Sequence, residues 1–248
     1  MKQLCCVALS FTLLLAVPAY AGVGKVSSPN VEKGVAEIEY SGTRYGDSSG
    51  SSNNNKQNHA IELEYGFTDR FMFGLEMEIE RESPHSTKID GFGVEAQYEL
   101  TQQGNWWLNS AIKGEYLHAT HAGDADALEL LMLASRQWGA TQATLNVELA
   151  REMGNNRSSG LGLSSRFQAI HAFNDHFAPG IEWDADYGRV NKLGDSDRQE
   201  QYLGPVVTGE LFELGKGEVD YAVGYYWGLT KDSANKAARL HVSYEFPF

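Results

Sequence analysis

The 248-residue chain is acidic, with a formal net charge of −13, and its only cysteines are Cys5 and Cys6. An acidic chain offers no basic face to neutralise phosphates, which excludes nucleic-acid binding, and the rest of the chain has no cysteine for a disulfide framework or a thiolate metal site. After residue 21 no stretch approaches the ~18 consecutive apolar residues of a membrane-spanning helix, so a membrane-embedded form would have to be a closed β-barrel.

The first 21 residues have the pattern of a secretory signal peptide. Lys2 supplies a positive charge, residues 4–17 form an apolar core, and Ala19-Tyr20-Ala21 is a small-x-small cleavage site. The apolar core is too short for a retained transmembrane helix. We therefore expect export, removal of residues 1–21 as the signal peptide, and a single barrel domain over residues 22–248.

Apolar and polar residues alternate along much of the remaining chain, which is the period-two pattern of a β-strand with one apolar face. Residues 73–79 show it clearly, with Phe, Leu, Met and Ile at every second position and Gly or Glu between them. The 26 glycines, 12 tyrosines and 11 phenylalanines suit strands, tight turns and interfacial aromatic belts. We interpret these runs as hairpins with a lipid face and a lumen face. Similar runs occupy residues 61–67, 92–100, 219–227 and 240–248.

Short polar turns and longer polar loops separate these runs in alternation. Successive short turns are roughly 35 residues apart, which leaves room for two strands and one long loop. The pattern predicts an all-β fold, a transmembrane antiparallel up-and-down β-barrel of about 12 strands with both termini periplasmic. The short turns cover residues 68–70, 102–105, 139–141, 174–175 and 215–217, and the long loops 46–58, 81–88, 121–126, 152–159, 190–201 and 231–235.

The last strand carries apolar or aromatic residues at Leu240, Val242, Tyr244, Phe246 and Phe248, with polar residues between the first four of them. A terminal strand of this kind resembles the closing strand of bacterial outer-membrane proteins. The resemblance implies recognition by the barrel-insertion machinery through the strand that ends at Phe248.

The whole mature chain resembles bacterial outer-membrane β-barrels in its signal peptide, its alternation, its connections and its terminal phenylalanine. Residues 31–40 and 62–70 further resemble uncharacterised proteobacterial barrels of porin-like or transporter type. The resemblance implies the cell outer membrane of a Gram-negative bacterium, with membrane lipid and lipopolysaccharide around the barrel. It implies no particular solute and no catalytic residues.

Acidic residues dominate the predicted lumen face, where the bases are few, chiefly Lys113, Arg166 and Arg239. Carboxylates cannot face lipid at low cost, and acidic walls concentrate cations. We therefore predict a porin-like channel for passive passage of small cationic or neutral solutes. A closed structural or surface-interaction barrel with a solvated acidic interior is the main alternative. The residues that would give the cation preference are Glu62, Glu64, Glu76, Glu78, Glu80, Glu95, Glu99, Glu182, Asp184 and Asp186.

Residues 128–134 interrupt the polar character of the lumen face, because Leu131 and Leu133 point inward beside Glu129. Such residues could pack as a plug or line an apolar path, and a register shift at a β-bulge would explain them equally well. Further apolar residues predicted on the inner face are Trp107, Leu117, Ile170 and Tyr226.

Motifs for enzyme chemistry are weak, so we expect neither an enzyme nor a cofactor. The chain has no Gly-x-Ser-x-Gly elbow and no arrangement like that of the barrel phospholipases. An outer-membrane hydrolase with scattered acids and a histidine at the rim stays open as a lesser alternative. One cluster, His118, His121, Asp124 and Asp126, could hold a divalent metal, but its spacing matches no specific motif and favours a hydrated loop.

Overall fold

The structure is a computed structural model that describes residues 22–49, 51–81, 87–154 and 157–248. The predicted signal peptide, and with it any test of its cleavage site, lies outside these residues. The described part contains twelve long strands, a two-residue strand and one short 3-10 helix, Ser196–Arg198. The strands are β1 (Val35–Gly46), β2 (Gln57–Gly66), β3 (Phe71–Arg81), β4 (Thr87–Thr101), β5 (Asn109–Ala119), β6 (Asp126–Trp138), β7 (Thr141–Met153), β8 (Gly162–His171), β9 (Ala178–Arg189), β10 (Lys192–Leu193), β11 (Glu200–Leu214), β12 (Gly217–Gly228) and β13 (Lys236–Pro247).

The twelve long strands close into a barrel in which each strand pairs with antiparallel neighbours. Consecutive strands pair around the sheet, β9 bridges β8 and β11, and β10 only extends the edge of β9. The first and last strands form the closing seam, which runs from Val35 opposite Pro247 to Gly46 opposite Lys236. The predicted antiparallel up-and-down barrel of about 12 strands is therefore confirmed.

The barrel has two unlike ends, which we name the short-turn end and the long-loop end. At the short-turn end, β6 and β7 are joined by Gly139 and Ala140, and β11 and β12 by Gly215 and Lys216. Gly139 has φ 59° and Gly215 has φ 67°, the left-handed conformation that tight hairpin turns require. The start of β1 and the end of β13 both lie at this end.

The outer face of the barrel is apolar. Leu63, Leu75, Leu130 and Met132 are each more than 40% exposed, whereas their strand neighbours Glu62, Glu129, Leu131 and Leu133 are buried. Exposed apolar surface on this scale suits hydrocarbon rather than water. In the described residues no helix is long and apolar enough to cross a membrane. Exposed aromatic rings gather towards both ends, as Phe67, Phe71, Trp106, Trp107, Trp138, Phe173 and Phe177 at the short-turn end and Tyr116, Tyr225 and Trp227 at the other.

Strand β6 keeps a regular register with both neighbours, so a bulge does not explain its inward leucines. Leu131 and Leu133 pack with Ala111 of β5 as a small buried cluster on the inner face. Among the other residues predicted to point inward, Leu117 and Tyr226 are buried. Trp107 is 60% exposed, so its inward placement is wrong: it precedes β5 and lies against Arg136 instead of on a strand.

Candidate functional site in the barrel interior

None of the ten acidic residues predicted to line the lumen is exposed. All ten lie on the inner face of their strands, opposite the exposed apolar side chains. The buried ones are Glu62, Glu95, Glu99, Glu182 and Asp184, and the half-buried ones are Glu64, Glu76, Glu78, Glu80 and Asp186.

Several inner-face glutamates stand directly opposite one another on neighbouring strands. We call this set the carboxylate row, which consists of Glu218, Glu245, Glu37, Glu64, Glu95, Glu115 and Glu129. Because the strands are staggered, the row runs obliquely from one end of the barrel towards the other. Glu37 is near the short-turn end of β1, and Glu129 is near the long-loop end of β6. A like charge directly opposite is destabilising on a sheet. The row therefore carries a cost that its surroundings must offset.

A glycine keeps the row continuous where it crosses β3. Gly74 lies between Glu64 of β2 and Glu95 of β4 in the register. A Cβ atom at Gly74 would lie 2.6 Å from Oε1 of Glu95, so the Glu95 carboxyl group occupies the space that a side chain would fill. Carboxylate oxygens of Glu62, Glu64 and Glu95 consequently lie within 4.8 Å of one another.

Residues 22–34 precede β1, and their first part, residues 22–27, lies inside the barrel against inner-face side chains; we call residues 22–34 the plug. The Lys25 ammonium group is ion-paired with Glu39, lies 2.6 Å from Oε2 of Glu62 and lies 4.0 Å from Oε1 of Glu64. Lys113 of β5 adds a second ammonium group, ion-paired with Glu95 and 3.7 Å from Oε1 of Glu64. Two lysines thus neutralise the middle of the carboxylate row, and one of them comes from the plug.

Neutral hydrogen bonds fix the plug backbone to the barrel wall. The amide N–H of Ser27 donates to Oδ1 of Asn146 at 2.7 Å, and Nδ2 of Asn146 donates back to the Ser27 carbonyl at 2.9 Å. Gln97 donates to the carbonyls of Ser28 and Asn30, at 3.2 and 3.3 Å. The plug therefore sits in one defined position rather than as a loose tail.

Further ion pairs join inner-face side chains of β7, β8, β9 and β13. Arg166 lies 2.8 Å from Oε2 of Glu148 and 3.3 Å from Oδ2 of Asp184, and Arg239 lies 2.7 Å from Oε1 of Glu182. Gly24 of the plug contacts two of these strands: its N–H donates to Asp184 at 3.0 Å and its carbonyl accepts from Arg239. The plug thus contacts β9 and β13 through Gly24, and β1 and β2 through Lys25.

The four residues of the candidate metal cluster do not converge. Nδ1 of His118 lies 2.9 Å from Oδ1 of Asp126, which makes one pair. His121 and Asp124 lie 3.9 Å apart, and potential ligand atoms of these two residues and Asp90 fall within 4.8 Å of one another. His121 and Asp124 are exposed at the long-loop end, where acidic side chains are common without an ion.

The sequence predicted the wall of this site but not the plug. The alternation identified the inner-face acids and bases, because a strand sends every second side chain inward. Residues 22–34 have no such period. Among their signals are the small residues Gly22 and Gly24, which allow close approach to the wall, and Lys25, whose charge is opposite to that of an acidic barrel.

Comparison with known proteins supports the barrel fold but assigns the chain to no family. No protein-family model matches the chain, and no curated protein matches it. Among solved structures, an outer-membrane channel from Pseudomonas putida F1 superimposes with a TM-score of 0.63 at 13% identity, covering 92% of this chain and 100% of that one. The KdgM porin superimposes with a TM-score of 0.55 at 10% identity, covering 86% and 99%. At these identities the likeness shows a shared barrel fold.

Proposed function

We propose that this chain is an outer-membrane channel for small cationic or neutral solutes, exported with residues 1–21 as a cleaved signal peptide. The fold is that of the two outer-membrane channels above, and the apolar outer face fits a bilayer. We infer the orientation expected from the sequence, in which the short-turn end and both ends of the barrel sheet face the periplasm and the long loops face the outside of the cell.

The carboxylate row is the observation that carries the cation preference. It places glutamates on seven strands and rises from the short-turn end towards the long-loop end. Like charges directly opposite each other lower the stability of a sheet. We therefore expect such a row where the carboxylates have a functional role, such as contact with a passing solute. A lumen lined with one sign of charge attracts counter-ions and excludes ions of its own sign.

The plug sets the resting state of this channel. It crosses the lumen and is held in place by the contacts of Lys25 on one side and of Gly24 on the other. Passage of a solute therefore requires the plug to move. A cation that enters the lumen would compete for the carboxylates that hold Lys25 and would weaken this contact.

Planar-bilayer recording in a salt gradient tests the proposal. We expect a small conductance with the reversal potential of a cation-selective pore, and a larger conductance from protein that lacks residues 22–29. Anion selectivity in both proteins would contradict it. A prior gel in SDS establishes that the barrel is folded, because folded barrels migrate faster before heating than after.

A closed structural or surface-interaction barrel is the second candidate, and the plug is the observation that favours it. Such a barrel would remain silent in bilayers even without residues 22–29. A hydrolase role draws no support from the two channels that share the fold.

A further inference from the structure

A cavity of about 170 Å³ lies inside the barrel beside the plug. Its wall includes Lys25 of the plug and inner-face residues of β1 to β8. An apolar protein cavity of about 150 Å³ can hold benzene, so this volume suits a molecule of about six or seven non-hydrogen atoms.

Four glutamates that line this cavity, Glu76, Glu78, Glu115 and Glu129, take part in no ion pair within the described ranges. The three basic groups in the same wall are already engaged. Lys25 is paired with Glu39 and Glu62, Lys113 with Glu95, and Arg166 with Glu148. The cavity therefore has more carboxylates than its own bases neutralise.

Glu129 supplies the second indication of a ligand. The residue is only 6% exposed, and in the described part of the chain its Oε1 atom has no hydrogen-bond partner although it lines the cavity. Burial of a carboxyl oxygen without a hydrogen-bond partner is costly. A donor that enters the cavity would remove this cost.

The geometry disfavours a single metal ion as that donor. Three-ligand groupings within 4.8 Å occur in the described residues, and one of them includes Glu62 and Glu95 of the cavity wall, but these are already paired with lysines and none of the groupings contains any of the four glutamates. Gly93 lets two of them approach each other: a Cβ atom there would lie 3.0 Å from Oε1 of Glu115 and 3.3 Å from Oε2 of Glu76. Because no three of the four carboxyl groups converge on one point, a ligand with more than one positive group fits them better than a single ion.

We propose that this cavity binds a short α,ω-diamine as its diammonium ion, through Glu76, Glu78, Glu115 and Glu129. The inference rests on the proposed function and names its solute class. An ammonium group donates three hydrogen bonds and pairs well with two carboxylates. Lys25 already makes this contact within the same lumen, where it bridges Glu39 and Glu62.

Isothermal titration calorimetry of the full mature barrel in detergent micelles tests the site, with 1,4-diaminobutane as the probe. We expect saturable one-site binding, about tenfold or more tighter than that of butylamine, which has a single ammonium group. Glu76→Gln and Glu129→Gln should each weaken binding about tenfold. Glu213→Gln, an exposed glutamate outside the cavity, is the matched control and should bind as the parent does.

Three results would overturn the site: no saturable heat, equal affinity for butylamine, or unchanged affinity in folded Glu129→Gln protein. Displacement of the diamine by an equal concentration of Mg²⁺ would point to a metal site and would also reject it. The SDS gel shift before heating confirms that each variant is folded. A cation-selective pore without diamine binding rejects this inference alone, whereas diamine binding by a barrel that never conducts rejects the channel.

Discussion

The ammonium group of Lys25 lies 2.6 Å from Oε2 of Glu62, although Lys25 belongs to the segment before the barrel and Glu62 to its wall. Both side chains are largely buried, at 16% and 6% exposed. The contact therefore joins the plug to a strand of the barrel wall. We expect the opening of the lumen to depend on it.

Removal of that charge should open the lumen. In Lys25→Met the plug loses its ion pairs with Glu39 and Glu62, and the carboxylates it covered regain a preference for water or free cations. We expect a larger mean conductance and longer open times in planar bilayers. Lys33→Met, in the same segment but exposed, is the control. Equal conductance in the two variants would contradict a role for Lys25 in closure.

A covalent link between plug and wall should have the opposite effect. The Asn146 side chain exchanges two hydrogen bonds with the Ser27 backbone, so the two residues are neighbours across the lumen wall. In protein without residues 1–21, which hold both native cysteines, Ser27→Cys/Asn146→Cys should form a disulfide that holds the plug in place. We expect low conductance under oxidising conditions and recovery after dithiothreitol. Each single cysteine variant serves as the control and should not respond to the reductant.

The cation preference should fall when the short-turn end of the carboxylate row is neutralised. Glu37 and Glu245 stand opposite each other, and neither has an ion pair within the described residues. Glu37→Gln/Glu245→Gln should lower the cation-to-anion permeability ratio, by up to about tenfold at low salt. The reversal potential in a KCl gradient measures it. An unchanged ratio would remove the row from the selectivity mechanism.

The buried pair between Arg239 and Glu182 should matter more for stability than an exposed pair. Both side chains are 3% exposed, and Arg239→Met leaves the Glu182 carboxylate without its cation, at a cost of about 3–5 kcal/mol in unfolding free energy. Lys231→Met breaks a pair with Asp197 that is 79% and 50% exposed, and should cost at most about 1 kcal/mol. Urea titration of the folded barrel compares them; similar midpoints would contradict the prediction.

The barrel was predictable from the sequence because its strands obey a strict rule of alternate faces. Residues such as Phe73 and Leu75 lie outside and Glu76 and Glu78 inside, as that rule requires. The inward leucines of β6 also follow it without a bulge. Period two is a local property, and it needs no knowledge of distant contacts.

The alternation could not predict the plug, nor that glutamates of neighbouring strands lie directly opposite one another. Ser27 meets Asn146 across more than one hundred residues of sequence, and nothing local to either residue encodes the contact. The row depends on the register of each hairpin, so that Glu95 faces Glu115 and Glu115 faces Glu129. A slip of one residue in any strand would have sent those side chains into lipid.

The seam between β1 and β13 also governs the order of assembly. Val35 meets Pro247 there, so the pairing with the greatest sequence separation is the one that closes the barrel. Before it forms, two strands expose unpaired backbone groups that readily associate with other chains, and contacts of such long range form slowly. The completed cylinder then leaves no edge for unfolding to start from. Slow closure and long kinetic persistence both follow from that one pairing.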